Sequence, residues 1–112
     1  MANPYHMALL MGAIANGGST PEPYLTGGKS RTSYTLTDSS TAASLHSMMR
    51  NNVVNYYGEY LFDGYSLCAK TGTAELDDKN PNCWIVGFSE DESTRMRSPC
   101  ACRRHLRTLY RR

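Results

Sequence analysis

The residues in this sequence whose types and order best suit a chemical task are Lys70-Thr71-Gly72-Thr73-Ala74-Glu75. Lys70 supplies a positive charge, and Thr71 and Thr73 supply hydroxyls able to bond a carboxylate. Gly72 has no side chain to obstruct another backbone approaching along a strand. The set suits an anionic, peptide-like ligand lying beside an extended segment. A K-T-G tripeptide is short, so its meaning depends on what surrounds it.

Other chemistry-bearing patterns are incomplete. Gly27-Gly28-Lys29-Ser30 resembles the end of a phosphate-binding loop, but the first glycine of G-x-x-x-x-G-K-[ST] falls on Pro23, so a flexible loop is expected. In Gly64-Tyr65-Ser66-Leu67-Cys68 a cysteine stands where a nucleophile elbow has its last glycine, and strand rather than helix follows, so Ser66 reads as a strand residue. His6 and His46 fall on helices with no acid or nucleophile partner evident from the sequence and read as structural.

The four cysteines are Cys68, Cys83, Cys100 and Cys102. Cys100-x-Cys102 is not the C-x-x-C of zinc sites, even with His105 nearby, and its partners would lie far upstream on strand-like segments. Unpaired cysteines, some buried as small apolar residues, are expected, with no metal and no cofactor.

These residues must be positioned by a few elements. Asn3 is a candidate cap and Pro4 a first-turn residue for a helix in which Met7, Leu10, Met11 and Ile14 recur at helical spacing; Gly17-Gly18 ends it. Residues 19–36 read as loop with one short strand near Tyr34-Thr35-Leu36. A second helix is predicted from a Thr37 or Asp38 cap to about Asn55, with Ala42, Leu45, Met49 and Val53 on one stripe. Strands follow at Tyr65–Ala74 and Cys83–Ser89, joined by a turn over Asp77–Asn82. In the second strand Trp84, Val86 and Phe88 alternate with Cys83, Ile85 and Gly87, the pattern of an interior strand covered on both faces, yet no further strand follows it in sequence. The fold class predicted is α+β: two helices packed on part of an antiparallel sheet.

At 112 residues, one domain is the ceiling. No apolar run is long enough to span a bilayer. The stretch Met7–Ala15, ending in Ala13-Ile14-Ala15, imitates a secretory signal, but residues 1–6 contain no Lys or Arg, and an amphipathic helix accounts for it. The net charge of +2 conceals a division: residues 1–94 carry five basic and ten acidic residues, whereas residues 95–112 carry seven arginines and no acid. The expected organisation is a domain piece over 1–94 and a basic, disordered tail over 95–112.

Over about residues 2–90 the chain resembles the transpeptidase domain of penicillin-binding proteins. Pro4-Tyr5-His6-Met7-Ala8-Leu9-Leu10 and Ala13-Ile14-Ala15-Asn16-Gly17-Gly18 look like that family's helix ahead of its Pro-Tyr-Leu segment, here Pro23-Tyr24-Leu25. Thr41-Ala42-Ala43 through Met48-Met49-Arg50 looks like its next helix, Lys70–Glu75 like its K-T-G-T-A-E strand, and Trp84-Ile85-Val86-Gly87-Phe88 like the partner strand.

The resemblance implies an incomplete piece of the penicillin-binding transpeptidase fold, from a class B-like D,D-transpeptidase that cross-links peptidoglycan by acyl transfer through a serine ester, outside the cytoplasmic membrane. Of the family's three motifs only K-T-G is present: no serine here has Lys three residues on or Asn two residues on, so no catalytic residue is assigned. The resemblance makes Lys70, Thr71, Gly72 and Thr73 substrate-binding residues, with Thr71 and Thr73 holding the carboxylate of a stem peptide or β-lactam. The backbone N–H of Thr73 becomes one oxyanion donor, the other belonging to the absent serine. Membrane association is expected only through an N-terminal anchor that these residues do not contain.

The tail departs from the family, and its abrupt change of character points to a frame shift or an unrelated extension. The alternative function is a small non-enzymatic interaction protein whose arginine-rich tail engages nucleic acid. Seven arginines without structured aromatic partners support only non-specific electrostatics, so no specific nucleic acid is expected.

Overall fold

A computed structural model describes residues 3–22, 32–62, 64–74 and 82–91. The predicted turn over 77–82, the Pro23-Tyr24-Leu25 segment, Gly27–Ser30, Cys100, Cys102 and the basic tail lie outside the described residues, apart from Asn82, where the last strand begins. The architecture is α+β, with two helices and two small antiparallel sheets, consistent with part of a transpeptidase fold.

Helix α1 (Pro4–Ala15) starts where the sequence indicates: the Asn3 side chain accepts a hydrogen bond from the Tyr5 N–H at 2.9 Å, and Pro4 occupies a first-turn position where no N–H is needed. It ends as the Gly18 N–H folds back to the Ala13 carbonyl at 2.7 Å. Gly18 has φ +102°, and a Cβ there would stand 2.3 Å from the Thr37 carbonyl oxygen, so only glycine fits where the chain leading into the second helix crosses it. The buried residues are Met11, Ala13 and Ile14, with Met7 and Ala15 packed beside the core. Leu10, expected on the buried stripe, is exposed instead, because the contact runs along the Met7-Met11-Ile14 row and Leu10 lies outside it.

Residues 19–35 hold more structure than the predicted single strand. Strands β1 (Ser19–Pro21) and β2 (Ser33–Thr35) pair antiparallel, with Thr20 opposite Tyr34. Composition concealed this, because neither segment shows apolar alternation. The pair closes onto the helices: Leu36 N–H donates to the Gly18 carbonyl at 2.9 Å, bringing Asp38 into place as the next cap.

Helix α2 (Ser39–Asn52) is capped by Asp38, whose Oδ1 accepts from the Thr41 N–H at 2.8 Å. Ala42, Met49 and Val53 are buried as predicted, while Leu45 is exposed. The α-helix stops at Asn52 rather than about Asn55. Val53–Gly58 then winds as a π-helix and Glu59–Phe62 as a short 3₁₀ turn. The wider turn changes the direction in which side chains after Val53 project, as π-segments do at sites where a residue must be re-aimed.

Strands β3 (Leu67–Ala74) and β4 (Asn82–Ser89) form the second sheet, with Cys68 opposite Phe88, Lys70 opposite Val86 and Gly72 opposite Trp84. Both helices lie on the face carrying Cys68, Val86 and Phe88, giving a core of Met11, Ile14, Met49, Cys68, Val86 and Phe88 with Trp84 at its border. Gly87 lies so close to β3 that a Cβ would stand 2.4 Å from the Cys68 carbonyl oxygen. The interior-strand expectation for β4 is corrected among the described residues. Its hydrogen-bonded neighbour there is β3 alone, and on the far face Cys83, Ile85 and Gly87 are only half-buried. The apolar alternation reflects cover by helices on one face more than pairing on both edges.

Candidate functional site

The edge of β3 turned away from β4 is the chemically distinctive feature. The phase of the ladder follows from Glu90, whose N–H donates to the Ser66 carbonyl at 2.8 Å. Alternation then sends the N–H and C=O groups of Leu67, Ala69, Thr71 and Thr73 to the outer edge. The end of α2 and the π-turn engage some of these groups in order. Arg50 donates to the Leu67 carbonyl at 3.1 Å, and Asn52 Nδ2 donates to the Ala69 carbonyl at 3.3 Å. The Tyr57 hydroxyl accepts from the Thr71 N–H at 3.0 Å. No described residue caps the N–H of Thr73.

All four sequence-predicted residues sit where this covered edge ends. Lys70 alternates to the helix-covered face but is exposed, and its long side chain turns to the edge, where Nζ donates to the Thr71 carbonyl at 2.6 Å. No acid among the described residues pairs with it. Thr71 is half-buried, and its hydroxyl shares a 3.0 Å hydrogen bond with Tyr57 in which either oxygen can donate. With Tyr57 donating, the Thr71 proton is left for another acceptor. Thr73 is exposed. A Cβ built on Gly72 meets nothing within 4 Å, so the chain's own packing does not require glycine there. The edge therefore offers an ammonium, two hydroxyls, the Thr73 N–H and unobstructed backbone, the set an extended anionic chain end can use.

Behind the strand, a second group of polar side chains gathers that the sequence did not reveal. His46, read as having no acid partner, has one: its Nε2 lies 2.5 Å from Glu90 Oε1, and its ring stands edge-on to Phe88 at 5.1 Å. Arg50 Nε is 3.4 Å from Glu90 Oε2, and Arg50 also pairs with Glu59. The Glu59 hydrogen bond is the main cause holding the Arg50 pKa above its ordinary value. Cys68, with no exposed surface, lies against this group. Burial first, and Glu90 after it, push its thiol up to about 12. Among the described residues, Cys68 and Cys83 are free thiols. Ser66 is not at an elbow: it precedes β3, and its N–H donates to Asp91 Oδ2 at 2.8 Å.

Tyr57, Asn52, Arg50 and Glu90 were missed because each acts on a partner 14 or more residues away in sequence. The Tyr56-Tyr57-Gly58 run was the one local signal, and it reads equally well as a helix end.

The family model for the penicillin binding protein transpeptidase domain matches residues 1–97, and the chain belongs to that family. No curated protein and no solved structure matches it. The family's work is penicillin-sensitive cross-linking of peptidoglycan. No helix among the described residues is long and apolar enough to cross a membrane.

Proposed function

We propose that this chain supplies the carboxylate-binding wall of a penicillin-binding D,D-transpeptidase and performs no acyl transfer by itself. The observation that carries this reading is the opening of the β3 edge at Thr73, immediately beyond the stretch capped by Arg50, Asn52 and Tyr57. An extended stem peptide, or a β-lactam in its place, adds to the strand there. Its carboxylate meets the hydroxyls of Thr71 and Thr73, with the Lys70 ammonium adding positive charge. The Thr73 N–H serves as one oxyanion donor. Gly72 admits the ligand backbone into space the chain itself leaves open.

The serine that forms the ester belongs to residues outside these, since neither S-x-x-K nor S-x-N occurs in the sequence. Incubation with a fluorescent penicillin tests this. The expected result is no covalent label on the denatured protein, with weak reversible binding that is lost in Lys70→Ala. A label that survives denaturation overturns the inactive-wall reading, and reversible binding unchanged in Lys70→Ala overturns the site.

A further inference from the structure

His46, Cys68 and Glu90 come from three separate elements: helix α2, strand β3 and the residue following β4. Their ligand atoms all lie within 4.8 Å of one another. We infer that these three side chains form a binding site for a single zinc-like divalent cation, the fourth position being taken by water.

The donor set is imidazole nitrogen, thiolate sulfur and carboxylate oxygen, which together select a borderline-soft, tetrahedral cation over magnesium or calcium. With metal bonds of about 2.0–2.3 Å, ligand atoms in a tetrahedron stand about 3.3–3.7 Å apart. The cluster needs shifts of about 1 Å to reach this, chiefly opening the 2.5 Å His46–Glu90 contact.

Several features hold the ligands. Cys68 is on a paired strand and fully buried. The His46 ring is braced against Phe88 at an interplanar angle of 78°. Arg50 occupies Glu90 Oε2, leaving Oε1 as a monodentate ligand and serving as the outer partner that orients it. The side chains of His46 and Glu90 are 33% and 35% exposed, so water and the cation have a way in.

Charge balances as well. A divalent cation with one thiolate and one carboxylate is neutral, the condition a partly buried site requires. Binding moves the Cys68 thiol proton to solvent, and any proton held between His46 and Glu90 leaves with it. The cation joins α2 to β3, two residues before Lys70, and to the residue that follows β4.

The test uses the full chain with Cys83, Cys100 and Cys102 changed to serine, so that Cys68 is the only thiol. Cobalt(II) is titrated first as a spectroscopic probe, and zinc is then added to displace it. The expected result is one equivalent bound, with a thiolate-to-cobalt charge-transfer band and the intense visible bands of a tetrahedral site, bleached by zinc. Adding Cys68→Ser to this background abolishes the charge-transfer band, and His46→Gln weakens binding at least about tenfold. Circular dichroism confirms that each variant is folded. A folded triple-serine protein that gives no charge-transfer band overturns the inference, as does a band that persists in Cys68→Ser. Penicillin binding plays no part in this readout, so the site fails or stands independently of the proposed function.

Discussion

The phenol oxygen of Tyr57 stands 3.0 Å from the amide nitrogen of Thr71 and 3.0 Å from its hydroxyl, so one side chain on the π-turn engages two groups of one strand residue. Tyr57→Phe keeps the ring and removes both bonds. The expected cost is about 1–2 kcal/mol in denaturant unfolding. Amide exchange at Thr71 accelerates while that at Val86, inside the ladder, changes little. Unchanged exchange at Thr71 would show that the phenol does not hold the strand.

Two glycines of the second sheet are predicted to behave oppositely. Gly87→Ala forces a methyl onto the Cys68 backbone oxygen and destabilises by about 1–3 kcal/mol. Gly72→Ala has open space around it and changes stability by no more than about 0.5 kcal/mol, yet it reduces reversible β-lactam binding. Chemical denaturation of both variants, with binding measured on the second, separates glycine kept for folding from glycine kept for a ligand.

Asp38 gives a pH dependence of definite sign. Hydrogen bonds from the Ser40 hydroxyl, the Thr41 N–H and the Thr41 hydroxyl hold its carboxyl well below the usual carboxylate range. A carboxylate depressed in the folded state contributes stability above its unfolded value, near pH 4, and loses that contribution as pH falls further. Thermal unfolding followed from pH 6 down to about pH 2 should show a decline that is shallower in Asp38→Asn. Parallel declines in the two proteins would exclude Asp38 as a source of acid lability.

With no metal ion bound, the Cys68 thiol is predicted to be inert toward alkylation. Burial and the neighbouring Glu90 raise its pKa to about 12, so it presents almost no thiolate at neutral pH. Iodoacetamide applied to the native protein should modify Cys83, which is half-buried, well before Cys68, as read by peptide mass mapping. Both should react at similar rates in denaturant. The raised pKa also means that the contribution of Cys68 to stability is present below about pH 9 and is lost as pH climbs toward 12.

Much of the frame was legible because it is written locally. The Asn3 and Asp38 caps, the glycines after α1 and the alternation of β4 each act within a few residues, and all fall where the sequence places them. The β1–β2 pair was not legible, since Ser19-Thr20-Pro21 and Ser33-Tyr34-Thr35 have no apolar rhythm and are held by backbone pairing and by hydroxyl hydrogen bonds such as Ser33 Oγ to the Thr20 carbonyl. The four residues of the Lys70–Thr73 stretch were visible as types in order. What surrounds them was not. The approach of His46 to Glu90 spans 44 positions, and the turn of Tyr57 onto Thr71 depends on a π-winding that helical periodicity does not encode.

Arg50, Asn52 and Tyr57 also bear on how this small chain behaves in solution. A bare strand border recruits copies of itself, and sheets that grow in this way end as aggregates. By engaging the carbonyls of Leu67 and Ala69 and the N–H of Thr71, these three side chains reduce the backbone groups that another molecule can pair with along this edge of β3. Protection of this edge of β3 against self-assembly thus depends on these hydrogen bonds, and a variant that loosens one should make the chain more prone to associate.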